Sequence, residues 1–352
     1  MLAFSARFSG VILVLLLAAA LCAGCSPAPS PTPSVSPQNI LHTQTPAPGT
    51  PAPSITPGGD RLMVEAAPES LRTDDGSQPV VKVYVTEEQA VREMPIETYL
   101  CGVLAGEMNN QWPMEALRAQ AILARTYAVK FVEDKGGSKY REAHLSTDIA
   151  EAQAYDAAGI NDRIREAINS TRGMLAVHGG HPIYAWFHAH AGGMTALAGE
   201  GLEYERDDPP YIAIVASKES DQAPPDDAAW RAAFTRAELA AALSNWGDIG
   251  AVGSIGIAQR GPSGRAITLN INGTEISAPS LRLHLGAEKL KSTLLTSIRM
   301  DGAGGVVFEG KGYGHGVGMS QWGAYRMAEE GLRAEDIIQA YFRDVSLVMA
   351  WR

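Results

Sequence analysis

Glu107 falls where a carboxylate is expensive. In "IETYLCGVLAGEMNNQW", Ile96, Leu100, Val103, Leu104 and Met108 recur at helical spacing and form an apolar stripe. Glu107 is four residues after Val103 and three after Leu104, so it points with that stripe. A carboxylate on an apolar face costs free energy unless it is paired or neutral. Desolvation raises its pKa, and a general acid working near neutral pH needs a raised pKa. The same spacing also suits a salt-bridged or helix-end Glu at the edge of a core. Arg125, on the next helix, is a partner for Glu107, a clamp for an anionic ligand group, or a plain surface residue.

A second stretch carries an imidazole in an unusually bare backbone. In "GKGYGHGVGMSQWGAYRMAEEG", glycine occupies every second position from Gly310 to Gly318, with His315 in the middle. Both strands and helices lose stability with so much glycine. No G-x-G-x-x-G falls in register and no Gly-Lys-Ser/Thr follows, so phosphate binding is not supported. The residues suit a loop whose backbone approaches a bulky ligand, with Gly314, His315, Gly316, Ser320 and Gln321 at the contact. Ser320 can cap the helix that follows, and Gly331 can end it. A third stretch, "HAHAGGMT" from His188 to Thr195, holds His188 and His190 at a metal-ligand spacing. Alternation places Trp186, His188 and His190 on one face. Without a third ligand, neither a metal nor a cofactor is expected.

These residues need elements to hold them. The fold is expected to start at the strand "VVKVYV", Val80 to Val85. Asn109-Asn110 break the Glu107 helix, and Pro113 fits the first turn of the next. There Leu117, Ala121, Ala124 and Ala128 give a narrow face for close helix packing. A helix from Asn161 to Ser170 precedes a hairpin turning at Gly179-Gly180. Residues from about 200 to 305 change character. "RAAFTRAELAAALSNWG" reads as a helix closed by Gly247, and the segments flanking Gly261-Pro262-Ser263-Gly264 alternate as a hairpin. "SAPSLRLHLGAEKLKST" returns to a short helix, "GGVVFEG" is a strand, and Ala334 to Phe342 is a final helix. The sum is an α+β fold over residues 80–352: a helical catalytic core with short β-hairpins and an inserted smaller α+β lobe.

The 352-residue chain carries a formal charge of −10, which argues against nucleic acid as a partner. Two of its three cysteines, Cys22 and Cys25, lie in an N-terminal leader (residues 1–25). Cys101 is left alone, so a disulfide within the body and a multi-cysteine zinc site are both excluded. The leader has a basic start, an apolar run and small residues before Cys25, the pattern of an export signal. Ala23-Gly24-Cys25 resembles a bacterial lipobox, which makes Cys25 the lipidation site; an uncleaved membrane anchor is the other reading. Either places the body outside the cytoplasm, held at the membrane and facing the cell wall. Residues 26–79 read as a Pro/Ser/Thr-rich unfolded tether. Its most Pro-rich part would extend about 3 Å per residue, a reach on the order of 100 Å.

The segments "YLCGVLAGEMNNQWPMEALRAQAILARTYAV", "HAHAGGMT", "SGRAITLNINGTEI" and "GKGYGHGVGMSQWGAYRMAEEG", in this order, resemble the stage II sporulation protein D family, also called the amidase-enhancer family. The likeness runs from about Val83 to Leu347. It implies a peptidoglycan lytic transglycosylase, acting in sporulating Gram-positive cells during forespore engulfment. The implied substrate is the MurNAc–GlcNAc strand stripped of its stem peptides, and the implied partner is a wall amidase. In the family pattern Glu107 is the catalytic acid. His188, Gly192, Gly193 and Thr195 match a family motif in which Ala189 and Ala191 replace two serines. With Arg125 and the glycine loop, these form the candidate substrate-binding set. Some members hold a structural zinc partly by two cysteines before a Gln-x-Tyr. Here Gln153 and Tyr155 remain, while Thr147 and Ala152 stand about where the cysteines would be. Two other readings stay open: a non-catalytic wall-binding enhancer of an amidase, and a metallohydrolase built on His188, His190 and His315.

Overall fold

The computed structural model describes residues 63–352; the leader, Cys25 and the first part of the expected tether lie outside the described residues. The chain is already packed at Met63, earlier than the sequence suggests. Met63 N–H donates to the Met349 carbonyl, and Ala66, Ala67 and Leu71 are buried in the main core. The apolar residues among polar neighbours at 63–71 form two short 3-10 turns, too brief to show a period.

Val80–Val85 (β1) and Ala90–Pro95 (β2) form an antiparallel hairpin, with Val81 and Val83 turned inward. Ile96–Glu107 (α1) follows at once, then Met114–Lys135 (α2), which ends at Gly136 in the left-handed region. Leu145–Ser146 (β3) pairs parallel to β1. Asp162–Ser170 (α3) starts at Asn161, whose side chain accepts from the Ile164 N–H. Met174–His178 (β4) and His181–Pro182 (β5) form the hairpin expected at Gly179-Gly180. Only Phe187–His188 (β6) of the next segment is a strand, so the regular alternation expected up to His190 is not kept. Ala198–Gly201 (α4) and Pro225–Ala228 (α5) are single turns.

Trp230–Phe234 (β7) is a strand, where the sequence suggests the start of a helix. Its alternate residues Trp230, Ala232 and Phe234 are buried, and it pairs along its whole length with a later strand. Tertiary pairing overrides helix propensity here. The helix Arg236–Leu243 (α6) begins only at Thr235, which forms a capping box with Glu238. Ile255–Arg260 (β8), Ala266–Ile271 (β9) and Thr274–Ser277 (β10) form one antiparallel sheet, β9 central. Ala278–His284 (α7) covers it. Leu295–Met300 (β11) and Val306–Gly310 (β12) pair in the order β11-β12-β7. These elements share a second hydrophobic core from Trp230 to Phe308. The chain then returns through Met319–Ser320 (β13), Gln321–Glu329 (α8), Ala334–Tyr341 (α9) and Ser346–Met349 (β14). β13 pairs parallel to β6, and β14 pairs with β4. The class is α+β.

α2 is the hub of the main core, packed by α1, α3, α8, α9 and β4. It is buried on nearly every side from Ala116 to Val132, wider than the narrow face its small residues suggest. Arg125 is fully buried in its middle. Its guanidinium donates to both oxygens of Glu97, from Nε at 3.0 Å and Nη2 at 2.7 Å. It also reaches the Met174 and Ile168 carbonyls. Glu97 in turn accepts from the Gly173 N–H and the Trp351 indole. Arg125 therefore neither pairs with Glu107 nor meets a ligand, contrary to its place in the candidate binding set. It ties α1, α2, α3, β4 and the C-terminal segment together.

Removing one partner of a buried ion pair leaves an uncompensated charge. Arg125→Met should lower the free energy of unfolding by about 3–5 kcal/mol. Adding Glu97→Gln should restore part of that loss. Denaturant unfolding of the two variants checks this; a single variant as stable as the parent would contradict the pairing.

Candidate functional site

Glu107 is the last residue of α1 and keeps some contact with solvent. The Ala154 N–H donates to its Oε1 at 2.7 Å. That contact requires the 154–155 backbone to lie against α1, and Gly106 allows it. A Cβ at Gly106 would stand 2.7 Å from the Tyr155 nitrogen. On the other side, the Gln321 amide donates to the Glu107 carbonyl at 3.2 Å and lies 3.5 Å from Gln120 Oε1. Burial pushes the Tyr99 and Tyr127 phenols up, and the Glu107 charge adds to both, which puts the acid near two aromatic rings.

Burial raises the Glu107 pKa from the usual 4.5 to about 7, against the opposing Ala154 hydrogen bond. The C-terminal end of a helix also disfavours a negative charge. No second carboxylate contributes to this shift. The group is thus a carboxylic acid able to give a proton near neutral pH and take one back. The apolar stripe expected from the spacing is present: Val103, Leu104 and Met108 are buried.

The glycine loop is not the open floor that its composition suggests. Every residue from Gly312 to Ser320 is buried. The glycines admit protein rather than ligand. At Gly316 (φ 84°) a Cβ would stand 2.4 Å from the Arg265 guanidinium, and at Gly318 (φ 71°) 2.0 Å from the Trp186 carbonyl oxygen. Gly314 likewise packs on His188, and Gly192 on Leu294 and Gly312. His315 Nδ1 accepts from the Val317 N–H at 3.0 Å, and burial pushes its pKa down to about 3. Gly314, His315 and Gly316 therefore face protein and do not present a binding surface, while Gly192 keeps part of its surface in solvent.

His188 and His315 do meet, with ring centroids 5.7 Å apart, but the Nδ1 of each is turned to backbone, while His188 Nε2 is buried without a hydrogen-bond partner. His188 Nδ1 lies 3.1 Å from the Val317 carbonyl oxygen, and burial holds its pKa well below the usual value. His190 Nδ1 accepts from the Gly192 N–H. Among the described residues, no group of three His, Cys, Asp or Glu is placed to hold a metal ion. Thr147, at an expected cysteine position, hydrogen-bonds to Thr86 instead. Thr195 is fully buried, bonded to the Ala213 carbonyl and the Val215 N–H. Gly193 alone of this motif's matched residues is exposed. The Ser320 hydroxyl donates to Glu219 at 2.6 Å and caps α8 through the Gly323 N–H. Of the candidate set, only Gln321 touches Glu107. A cavity of about 260 Å³ lies along the first half of α1, lined by Gln78, Glu97, Thr98, Cys101, Ile160, Arg165, Asn169 and Arg172, and does not include the acid.

The sequence reading missed Gln120, Tyr99, Tyr127 and the Ala154 backbone. The Gly102-x-x-x-Gly106 spacing was the available signal, because it marks a lane on α1 for close backbone approach.

Comparison with known proteins decides the family. A family model described as "Stage II sporulation protein" matches residues 84–178, and a domain of unknown function matches residues 208–318. Stage II sporulation protein D of Bacillus amyloliquefaciens is 30% identical over 300 residues, covering 79% of this chain and 83% of that one. This chain belongs to the stage II sporulation protein D family. An uncharacterized protein of Brachyspira hyodysenteriae is 34% identical over 265 residues, 73% of this chain and 68% of that one. The amidase enhancer of Bacillus subtilis is 27% identical over 293 residues, 70% of this chain but only 40% of that one.

The raised pKa of Glu107 sets a stability signature. The unfolded chain releases this proton near 4.5, the folded chain near 7. Between those values the folded state holds the extra proton, so this group's contribution to stability falls as pH rises through that window. Unfolding free energies of the parent and Glu107→Gln, measured from pH 4.5 to 7.5, should show the parent losing ground to the variant. A constant difference across the window would mean that the carboxyl titrates normally.

Proposed function

We propose that this protein is a peptidoglycan lytic transglycosylase that cuts MurNAc–GlcNAc strands with Glu107 as its single acid/base. The observation that carries the reading is a desolvated carboxylic acid with a pKa of about 7, to whose shift no second carboxylate contributes. Hydrolytic glycosidases generally need two carboxyl groups, roughly 5–10 Å apart. A transglycosylase needs one. Glu107 protonates the glycosidic oxygen as the C1–O bond breaks, and GlcNAc leaves with its hydroxyl restored. The carboxylate then takes the proton of the MurNAc C6 hydroxyl as that oxygen bonds to C1. The product is a 1,6-anhydro end, and Glu107 regains its proton.

The names of the relatives support a wall role in sporulation. The lipobox-like leader, outside the described residues, supports an extracytoplasmic lipoprotein anchored at Cys25. Among the described residues no helix is long and apolar enough to cross a membrane. The layout follows as leader, tether, and a body whose second hydrophobic core is the inserted lobe. Strands already cleared of stem peptides are the proposed substrate, and a wall amidase the proposed partner. The name of the Bacillus subtilis amidase enhancer favours one further reading, a wall-binding module that stimulates an amidase. A desolvated acid with a raised pKa has no use in that role.

Glu107→Gln keeps the shape and removes the titratable proton. It should fold and lose cleavage of purified glycan strands by a factor on the order of 100 or more. Undiminished cleavage would remove Glu107 from the mechanism, and a wild type that cuts no glycan would favour the amidase-enhancer reading.

A further inference from the structure

Trp112, Trp322 and Tyr325 form an aromatic cluster beside the acid. Ring centroids are 4.3 Å apart for Trp112 and Trp322, 5.1 Å for Trp112 and Tyr325, and 5.3 Å for Trp322 and Tyr325. Each ring keeps part of its surface in solvent. Their polar atoms are free as well: among the described residues, neither indole N–H nor the Tyr325 hydroxyl has a protein hydrogen-bond partner. Two of the three buried tryptophans behave differently. Trp230 donates to the Gly312 carbonyl and Trp351 to Glu97. Amphipathic rings with an open face and an unspent donor are the usual equipment of a binding surface.

The cluster is fixed to Glu107 from both sides. Trp112 lies just past the turn that ends α1, and Arg163 holds this turn by donating to the Trp112 carbonyl at 2.6 Å and the Asn110 carbonyl at 3.1 Å. Trp322 directly follows Gln321, whose amide bonds to the Glu107 carbonyl. The platform therefore adjoins the end of α1 that carries the acid. Asn109 and Gln111, both exposed, border it with amide groups. A pyranose ring fits this chemistry: its C–H face packs on an aromatic plane while its hydroxyls and N-acetyl group meet polar atoms at the rim.

We propose that Trp112, Trp322 and Tyr325 form a stacking subsite for N-acetylhexosamine rings of the glycan strand, adjoining Glu107. This rests on the glycan-cleaving reading of that site. Titration calorimetry of the Glu107→Gln protein with the tetramer of N-acetylglucosamine tests it. Trp322→Ala on that background should weaken binding at least about tenfold, a loss of roughly 1.4 kcal/mol. Trp322→Phe should keep most of the affinity, and thermal melting should confirm that both variants fold. Equal affinity in Trp322→Ala and its parent would overturn the proposal and mark the cluster as a protein-docking face. Absence of tetramer binding in the parent would overturn it too. The two proposals fail separately. Glycan cleavage by a wild type whose binding ignores Trp322 keeps the catalytic reading alone. Trp322-dependent binding by a wild type that never cleaves keeps the subsite alone.

Discussion

Gln321 donates to the Glu107 carbonyl across 214 residues of sequence, and much of the fold is arranged around that contact. Glu107 ends α1, where the helix leaves its last carbonyls without intrahelical donors. One of these is satisfied from α8. Because α8 begins at Gln321, its position depends on Ser320 as cap and on the parallel pair of β13 with β6. The chain after the second core thus comes back to close the site that the chain before it opened. A carboxyl group held this way is desolvated without being paired, and its pKa rises. An ion pair at the same place would have the opposite effect.

The fold separates two kinds of buried charge on one helix. Glu97, early in α1, is matched by Arg125 and by two further donors, so its charge is compensated in the core. Glu107, at the end of α1, receives one backbone N–H and no cation. The first arrangement fixes where α1 lies. The second leaves a proton free to move. The sequence spacing pointed to Glu107 as the unusual acid but did not show that Glu97 would take Arg125, because the pairing depends on how α1 crosses α2.

The glycine loop shows where sequence reasoning reaches its limit. Alternate glycines signal close backbone approach, and that much is visible in "GKGYGHGVGMS". What approaches is not. Here it is the Arg265 guanidinium and the Trp186 carbonyl, from segments far away in the chain. His315 reads as a ligand-contact group by type, yet its ring closes a local hydrogen bond with Val317. The hairpin at Gly179-Gly180, the helix beginning at Asn161 and the hairpin around Gly261–Gly264 were legible, because local sequence chemistry decides them. β7 was not, because its partner β12 lies more than seventy residues later. The aromatic cluster escaped for the same reason: Trp112 and Trp322 become neighbours only once α8 packs beside the end of α1.

A single acid predicts a reaction in which water takes no part in bond formation. Purified, peptide-free glycan strands digested in water enriched in oxygen-18, with products read by mass spectrometry, test this most directly. The account predicts 1,6-anhydro-MurNAc ends, lighter by one water than a reducing end and without label. Reducing ends carrying one oxygen-18 would mean hydrolysis, and with it a second carboxylate acting beside Glu107.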